Sequence, residues 1–434
     1  MKRTLYKELL NWKADPSRKP LLLQGARQVG KTYLINKFGK KEYKKYIYLN
    51  FEQDETLASL FLKNLNPSQI LSDLSLYLGF KIEIENTLLF FDEIQVVPKA
   101  ITSLKYFYEQ MPDLHLIAAG SLLGVSVGKQ NSFPVGKVNF KTLYPLSFEE
   151  FLMANNEALL INNLQTKTNF EPLVEVVHNK LQNYFKTFLF IGGMPEVVQN
   201  YINNKDIATV RNLQNEILEA YTRDFSKYTE KNIAIKTTEV WHSIPYQLAK
   251  ENKKFKYNVV RKNARASYYE LTISWLKSAG LIHLAHQITI PKLPLLGYTD
   301  NSKFKIYLLD TGLLGVMLSV SSDIIIKPNT LFTEYNGAFI ENYVANEFIK
   351  SNEKSLFYWT SKSDAEVDFI LQIKNKIVPI EVKSGLSKNL KSIRSYATKY
   401  NPEYICRTSP RNFYRDKDFI NIPLYALFIL KNLI

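Results

Sequence analysis

The sequence predicts an α/β protein: a parallel sheet carries an anion-binding loop at the carboxyl ends of its strands, and further modules follow. Three observations predict it. Residues 21–34 read LLLQGARQVGKTYL, an apolar run that passes through a glycine-bounded loop into a helical pattern. Residues 87–95, TLLFFDEIQ, form a second apolar run that ends on paired carboxylates. Between and beyond them apolar runs alternate with helix-period segments, the order that builds parallel sheets with ligands at the strand ends.

Inside the first run, Gly25, Ala26, Arg27, Gln28, Val29, Gly30, Lys31 and Thr32 fit G-x-x-x-x-G-K-[ST] at every position. Glycines let the backbone turn tightly so that its N–H groups point inward. A helix starting near Gly30 adds its positive end. Lys31 is expected to reach the β- and γ-phosphates of a nucleotide, and the Thr32 hydroxyl to ligate Mg2+. The competing reading is a chance glycine loop between strand and helix. The preceding apolar strand and the helical pattern of Tyr33, Leu34 and Phe38 favour the nucleotide site. In the second run Asp92 is expected to hold the Mg2+ shell through water, and Glu93 to polarise an attacking water. An acidic turn after a buried strand is the other reading. Residues 114–121 (LHLIAAGS) read as a further buried strand, whose terminal Ser121 is either a sensor of the γ-phosphate or a helix cap.

At 434 residues, with 46% apolar side chains, the chain has room for two to four domains, each with its own core. Its net charge of +15 favours an anionic partner, nucleic acid first and an acidic membrane second. A lysine-rich composition also follows from an AT-rich genome. The single cysteine, Cys406, excludes a disulfide framework and a cysteine zinc site. Among His115, His178, His242, His283 and His286, the only metal-like spacing is His283-x-x-His286, in an expected strand. The amphipathic N-terminus lacks a secretion signal, and no apolar run approaches the ~18 residues of a membrane span. The expectation is a cytoplasmic protein.

Along the chain, residues 5–12 read as a helix, 46–51 as a strand and 98–110 as a helix. Ser147 and Glu150 form a capping box. The nucleotide-binding core is expected over residues 1–155, and a helical lid over 156–236, broken by a turn at Gly192-Gly193-Met194-Pro195. Arg223 there is a candidate phosphate-sensing arginine, with a surface ion pair to Asp224 or Glu219 as its alternative. Residues 237–300 show the helix, turn, helix and strand of a winged helix, with Tyr268, Leu271, Trp275, Leu276 and Ala279 along one helical face. The basic cluster Lys250, Lys253, Lys254, Lys256, Arg261, Lys262 and Arg265 could sit on DNA phosphates, or the module could simply pack domains together.

Residues 301–434 form the last expected module. A helix over 339–348 carries Glu341 and Glu347, a strand over 366–371 carries Asp368, and a strand over 377–383 puts Glu381 and Lys383 on one face. Asp368 with Glu381-x-Lys383 is a metal-dependent phosphodiesterase pattern, in which two carboxylates hold Mg2+ and the lysine positions water. Glu341 could complete the set. An exposed E-x-K strand edge is the bland alternative.

With these residues in hand, the chain resembles the prokaryotic AAA+ P-loop ATPases that carry a C-terminal DUF4143 region. The segments that carry the resemblance are GARQVGKT (25–32), LLFFDEIQ (88–95), LYPLSFEEF (143–151), IGGMPE (191–196), ARASYYELTISWLKSAGLI (264–282), KIYLLDTGLL (305–314), IENYVANE (340–347) and VDFILQIKNKIVPIEVKSG (367–385), in that order. The resemblance implies ATP binding and hydrolysis with Mg2+ at the loop, through Lys31, Thr32, Asp92 and Glu93. It also implies a winged-helix middle and a C-terminal domain similar to the PD-(D/E)XK nuclease fold, with Glu341, Asp368, Glu381 and Lys383 as its site. The DUF4143 region is expected over about 215–385. Gly136-Lys137 stands where the family often shows Gly-Arg. The reading is an ATPase that acts on DNA; the alternative is a nucleotide-gated switch whose nuclease-like domain only binds. Oligomerisation or a protein partner is left open.

Overall fold

The structure is a computed structural model that describes residues 1–120, 136–228, 231–250, 253–320, 337–351, 353, 355–361, 365–385 and 390–434. Two compact units divide the chain: Lys2–Tyr144 with Ser278–Gly280, and Pro145–Lys277 with Leu281–Ile434.

The first unit is the expected α/β core. Its strands are β1 (Leu21–Gln24), β2 (Lys45–Asn50), β3 (Thr87–Asp92), β4 (His115–Ala119) and β5 (Asn139–Thr142), in the order β2-β3-β4-β1-β5. All four pairings are parallel. Every residue of β3 is buried, because helices cover both faces of a parallel sheet and leave no position for alternation. Phe91 and Leu89 pack with Leu74 of helix Pro67–Leu78 and with Leu104 and Phe107 of helix Pro98–Gln110. β4 lies between β1 and β3, so the loop after β1 and the carboxylates after β3 flank its carboxyl end.

In the second unit, helices Phe148–Ala154, Ala158–Gln165, Glu175–Ile191, Pro195–Asn204, Ile207–Tyr228 and Lys231–Leu248 follow one another. Both capping-box hydrogen bonds are present at Ser147 and Glu150. The division between units falls at Tyr144/Pro145, ahead of this helix and not near residue 155. The residues after it bond to segments of the second unit: Leu146 N–H donates to Gly193 O at 2.7 Å, and Phe148 N–H donates to Glu347 Oε1 at 3.2 Å.

Helices Tyr257–Val260 and Ala266–Ser278 lead into the antiparallel pair β6 (Ile282–Ile288) and β7 (Thr299–Leu308). The helix Ala266–Ser278 buries Tyr269, Thr272, Ile273 and Leu276. This corrects the expected face, since Tyr268 and Leu271 are exposed. YYELTISWL carries apolar side chains on two adjacent stripes, and periodicity alone could not choose between them. β6 also pairs in parallel with β8 (Leu356–Thr360), which pairs with β9 (Glu366–Val367). The boundary expected at residue 300 therefore lies inside a continuous sheet, β7-β6-β8-β9.

A further sheet follows, made of β10 (Phe369–Ile373), β11 (Lys376–Val382), β12 (Ile405–Ser409), β13 (Tyr414–Asp416) and β14 (Phe419–Pro423) in the order β10-β11-β12-β14-β13. The strand expected over 366–371 is thus two strands in two sheets. Asp368 is the single residue between them.

Backbone bonds tie distant segments of this unit together. Asp310 caps helix Thr311–Met317 by accepting the Leu313 N–H at 3.1 Å, and its other oxygen accepts the Gly193 N–H at 2.6 Å. A Cβ at Gly193 would overlap the Leu146 carbonyl, so the approach requires glycine. Lys350 Nζ donates to Leu146 O at 2.8 Å. Glu347 is fully buried in helix Gly337–Lys350; burial foremost, with Glu150 nearby, pushes its pKa up to about 7 against the pull of Lys350 and the Phe148 N–H. A carboxyl whose folded pKa is raised favours the folded state at low pH and loses that contribution as pH rises through 7. Between pH 5.5 and 8.5 the wild type is expected to lose on the order of 2–3 kcal/mol of stability. Urea unfolding of Glu347→Gln should show a flatter pH profile, and parallel profiles would refute the assignment.

Candidate functional site

The loop after β1 is built as an anion cradle. Gly25 has φ +153°, and a Cβ there would overlap the Leu143 carbonyl. Gly30 has φ +92° and opens helix Lys31–Glu42. Both positions demand glycine. Lys31 is 8% exposed, and its ammonium donates to Gly25 O at 3.0 Å and Ala26 O at 2.9 Å. Burial lowers its pKa to about 8, opposed by the charges of Glu93 and Asp92. The Thr32 hydroxyl donates to Asp92 Oδ2 at 2.8 Å, which joins the loop to the end of β3. Tyr48 from β2 donates to the same oxygen at 3.1 Å. Asp92 is buried, and burial raises its pKa.

Glu93 leaves the strand in the left-handed region at φ +50°, which turns its side chain away from the line of β3, and the Gln95 amide donates to its Oε2. A hydroxyl and a carboxylate in contact beside a buried ammonium fit a divalent cation next to nucleotide phosphates. Ser121 lies outside the described residues. Arg223 lies in the other unit, exposed and paired with Glu219 at 3.3 Å. That is the surface ion pair read as its alternative.

Arg3 was not singled out in the sequence. It is buried, and its guanidinium donates to Val29 O at 2.9 Å and Tyr144 O at 2.5 Å. It braces the back of the cradle. A basic residue ahead of an amphipathic helix gives no sequence signal for this role.

The second candidate site lies in the second unit. The Phe369↔Ile380 register sets Asp368 beside Glu381, as expected, and Asp368 Oδ2 accepts the Val382 N–H at 2.8 Å. Lys383 Nζ donates to Glu381 Oε1 at 2.6 Å. Glu341 arrives from helix Gly337–Lys350, so all four expected residues converge. Four further groups join them: Lys305, Glu366, Lys253 and Tyr307. Lys305 of β7 is fully buried, with its ammonium 2.8 Å from Glu341 Oε1, 2.5 Å from Glu366 Oε1 and 4.0 Å from Asp368 Oδ1. Lys253 donates to Glu341 Oε2, and the Tyr307 hydroxyl to Glu341 Oε1. Burial works against the Lys305 charge, but Glu341, Glu366 and Asp368 outweigh it and raise its pKa. Burial and the neighbouring carboxylates Glu341 and Glu381 push Asp368 up to about 8.

The sequence did carry a signal for Lys305, the one charged residue inside an otherwise apolar and wholly buried stretch, Phe304 to Leu308. Lys253 had been grouped with the DNA-facing basic residues. Here it is an internal ion-pair partner.

With this geometry in view, the first unit defines a P-loop nucleotide-binding protein. Residues 17–152 match the AAA domain family, residues 182–324 a domain of unknown function (DUF8612), and residues 336–427 the domain of unknown function DUF4143. The chain thus carries an AAA-type P-loop domain and, towards its C-terminus, a DUF4143 domain. That region begins at 336, downstream of the start expected near 215. The uncharacterized protein MJ1544 of Methanocaldococcus jannaschii is 26% identical over 372 residues, covering 82% of this chain and 72% of that protein. The Walker-type ATPase PABY2304 of Pyrococcus abyssi superposes with a TM-score of 0.43 at 12% identity, over 73% of this chain and 95% of that one. AMPPCP-bound DnaA from Aquifex aeolicus superposes with a TM-score of 0.28 at 14% identity, over 64% and 87%. Among the described residues no helix is long and apolar enough to cross a membrane.

Replacing Arg3 by alanine removes the donor from two backbone carbonyls behind the cradle. The expected loss is about 2–4 kcal/mol in the stability of the first unit. Thermal or urea unfolding measures it, and a change within error would show that Arg3 braces nothing.

Proposed function

We propose that the protein hydrolyses ATP with Mg2+ at residues 25–32, and that hydrolysis rearranges the second unit. The contact that carries this reading is Thr32 Oγ1 to Asp92 Oδ2 at 2.8 Å, beside the buried Lys31 ammonium. Mg2+ would be held by Thr32 and the Asp92 shell and would draw charge from the phosphates. The backbone N–H groups of the loop bind and orient the phosphate chain. Lys31 exchanges its two carbonyl partners for phosphate oxygens, whose negative charge opposes the burial that lowers its pKa. Glu93 accepts the proton of the attacking water through its carboxylate once Gln95 yields its place. Ser121 and Arg223 remain proposals as sensors. A cytoplasmic setting suits ATP and Mg2+ as ligands.

Glu93→Gln is expected to bind ATP with near wild-type affinity and to lose turnover by ~10²–10⁴. Lys31→Ala should lose binding itself. Phosphate release from Glu93→Gln equal to wild type would sink the assignment.

The helices between residues 231 and 278 with the β6–β7 pair support a winged-helix reading, and residues 301–434 a PD-(D/E)XK-like reading. Exposed Arg261, Lys262 and Arg265, next to the exposed rings and chains of Tyr268 and Leu271, suit a DNA backbone. Triple replacement of the three cations by alanine should lower affinity for duplex DNA irrespective of sequence and flatten its salt dependence. An unchanged slope of log Kd against log salt would remove DNA as the partner. The second reading, a nucleotide-gated switch whose nuclease-like domain does not cleave, is favoured by the Lys305 ammonium at the centre of the carboxylates.

A further inference from the structure

The nuclease-like reading calls for a divalent cation between Glu341, Asp368 and Glu381. The residues present can be tested for room. Glu341 Oε1 already accepts from Lys305 and Tyr307, and Oε2 from Lys253. Asp368 Oδ2 is taken by the Val382 N–H, and Oδ1 looks toward the Lys305 ammonium at 4.0 Å. Glu381 Oε1 is taken by Lys383, while its Oε2 is buried with no hydrogen-bond partner among the described residues. Mg2+ needs several oxygens at about 2.0–2.1 Å around one point, and Mn2+ makes similar demands. The point that faces Glu341, Glu366 and Asp368 together is filled by Lys305 Nζ. Among the described residues, no group of three or more acidic, histidine or cysteine side chains is arranged to hold a metal ion.

The lysine is not placed to move aside. Its side chain is fully buried on β7, with the ammonium 5.0 Å from the centre of the Tyr358 ring. The surrounding carboxylates give it no reason to lose its proton or to leave. A second cation brought to the same point would face the fixed charges of Lys305 and Lys253 at contact distance, in an environment that screens them poorly. The group that belongs to the fold-type expectation does not fit.

We propose that the Lys305 ammonium holds the position a divalent cation would take, so that the carboxylate centre is a lysine-closed site that binds neither Mg2+ nor Mn2+. The proposal rests on the nuclease-like reading and specifies its state. The four expected residues are present and assembled, but closed by a resident side-chain cation. It assigns the second unit to recognition and not to phosphodiester cleavage. Lys305→Met would keep most of the stem and remove the charge. It would expose Glu341, Glu366 and Asp368 to one another and create the metal site that the wild type lacks.

The test uses the full chain, nucleotide-free and stripped of metal, titrated with Mn2+ and read by electron paramagnetic resonance. Wild type, Asp368→Ala, Lys305→Met and the Lys305→Met/Asp368→Ala double variant are compared. Wild type and Asp368→Ala should bind the same small amount of Mn2+. Lys305→Met should gain one equivalent, with a Mn2+-dependent rise in Tm, and the double variant should lose both. An Asp368-dependent Mn2+ site in the wild type overturns the proposal and upholds an active nuclease-like centre. A folded Lys305→Met that gains no site also overturns it, and with it the nuclease-like reading of these carboxylates. If Lys305→Met does not fold, the comparison of wild type with Asp368→Ala decides alone.

Discussion

The Asp310 carboxylate holds the second unit's segments in place. It is buried, and it satisfies backbone N–H groups from its own helix and from Gly193. Gly193 in turn offers its carbonyl to Leu146, whose own carbonyl takes the Lys350 ammonium. Three of the sequence stretches that carried the family resemblance, around residues 143–151, 191–196 and 305–314, are thereby joined by a relay of polar bonds, and the Phe148 N–H to Glu347 bond adds the stretch 340–347. Burial makes each bond costly to lose, because a donor without its acceptor would stay away from water.

Buried charge is handled differently at the two candidate sites. In the cradle, Lys31 rests on neutral carbonyls, and burial makes its charge less favourable than in water. Such a site gains from an anion. In the second unit, the cations Lys305 and Lys253 rest on the carboxylates of Glu341 and Glu366, and each is already partnered. The same residue type thus produces an open site in one place and a closed one in the other.

Much of this was legible in the sequence. Four of the five strands of the first unit, the spacing of the glycine loop and of Asp92 and Glu93, and the capping box at Ser147 are local patterns, while the strand β5 carried no reading. The convergence of Asp368, Glu381 and Lys383 follows from strand period and a short hairpin. What stayed hidden depends on contacts between segments far apart in the chain. Lys305 and Lys253 meet Glu341 across 36 and 88 residues, and Arg3 meets Tyr144 across 141. The face of helix Ala266–Ser278 was misjudged because two stripes were equally apolar and packing, not periodicity, chose between them. The boundary at residue 300 failed because the parallel pairing of β6 with β8 has no signature in either strand.

Asp368 occupies the single position where the chain steps from one sheet to the next. Its carboxylate reaches both, since it accepts from β11 and faces the ammonium of β7. The acidic cluster therefore acts as a rivet through two plates. One carboxylate thus contacts a strand of each sheet, at the point where the chain passes from one to the other.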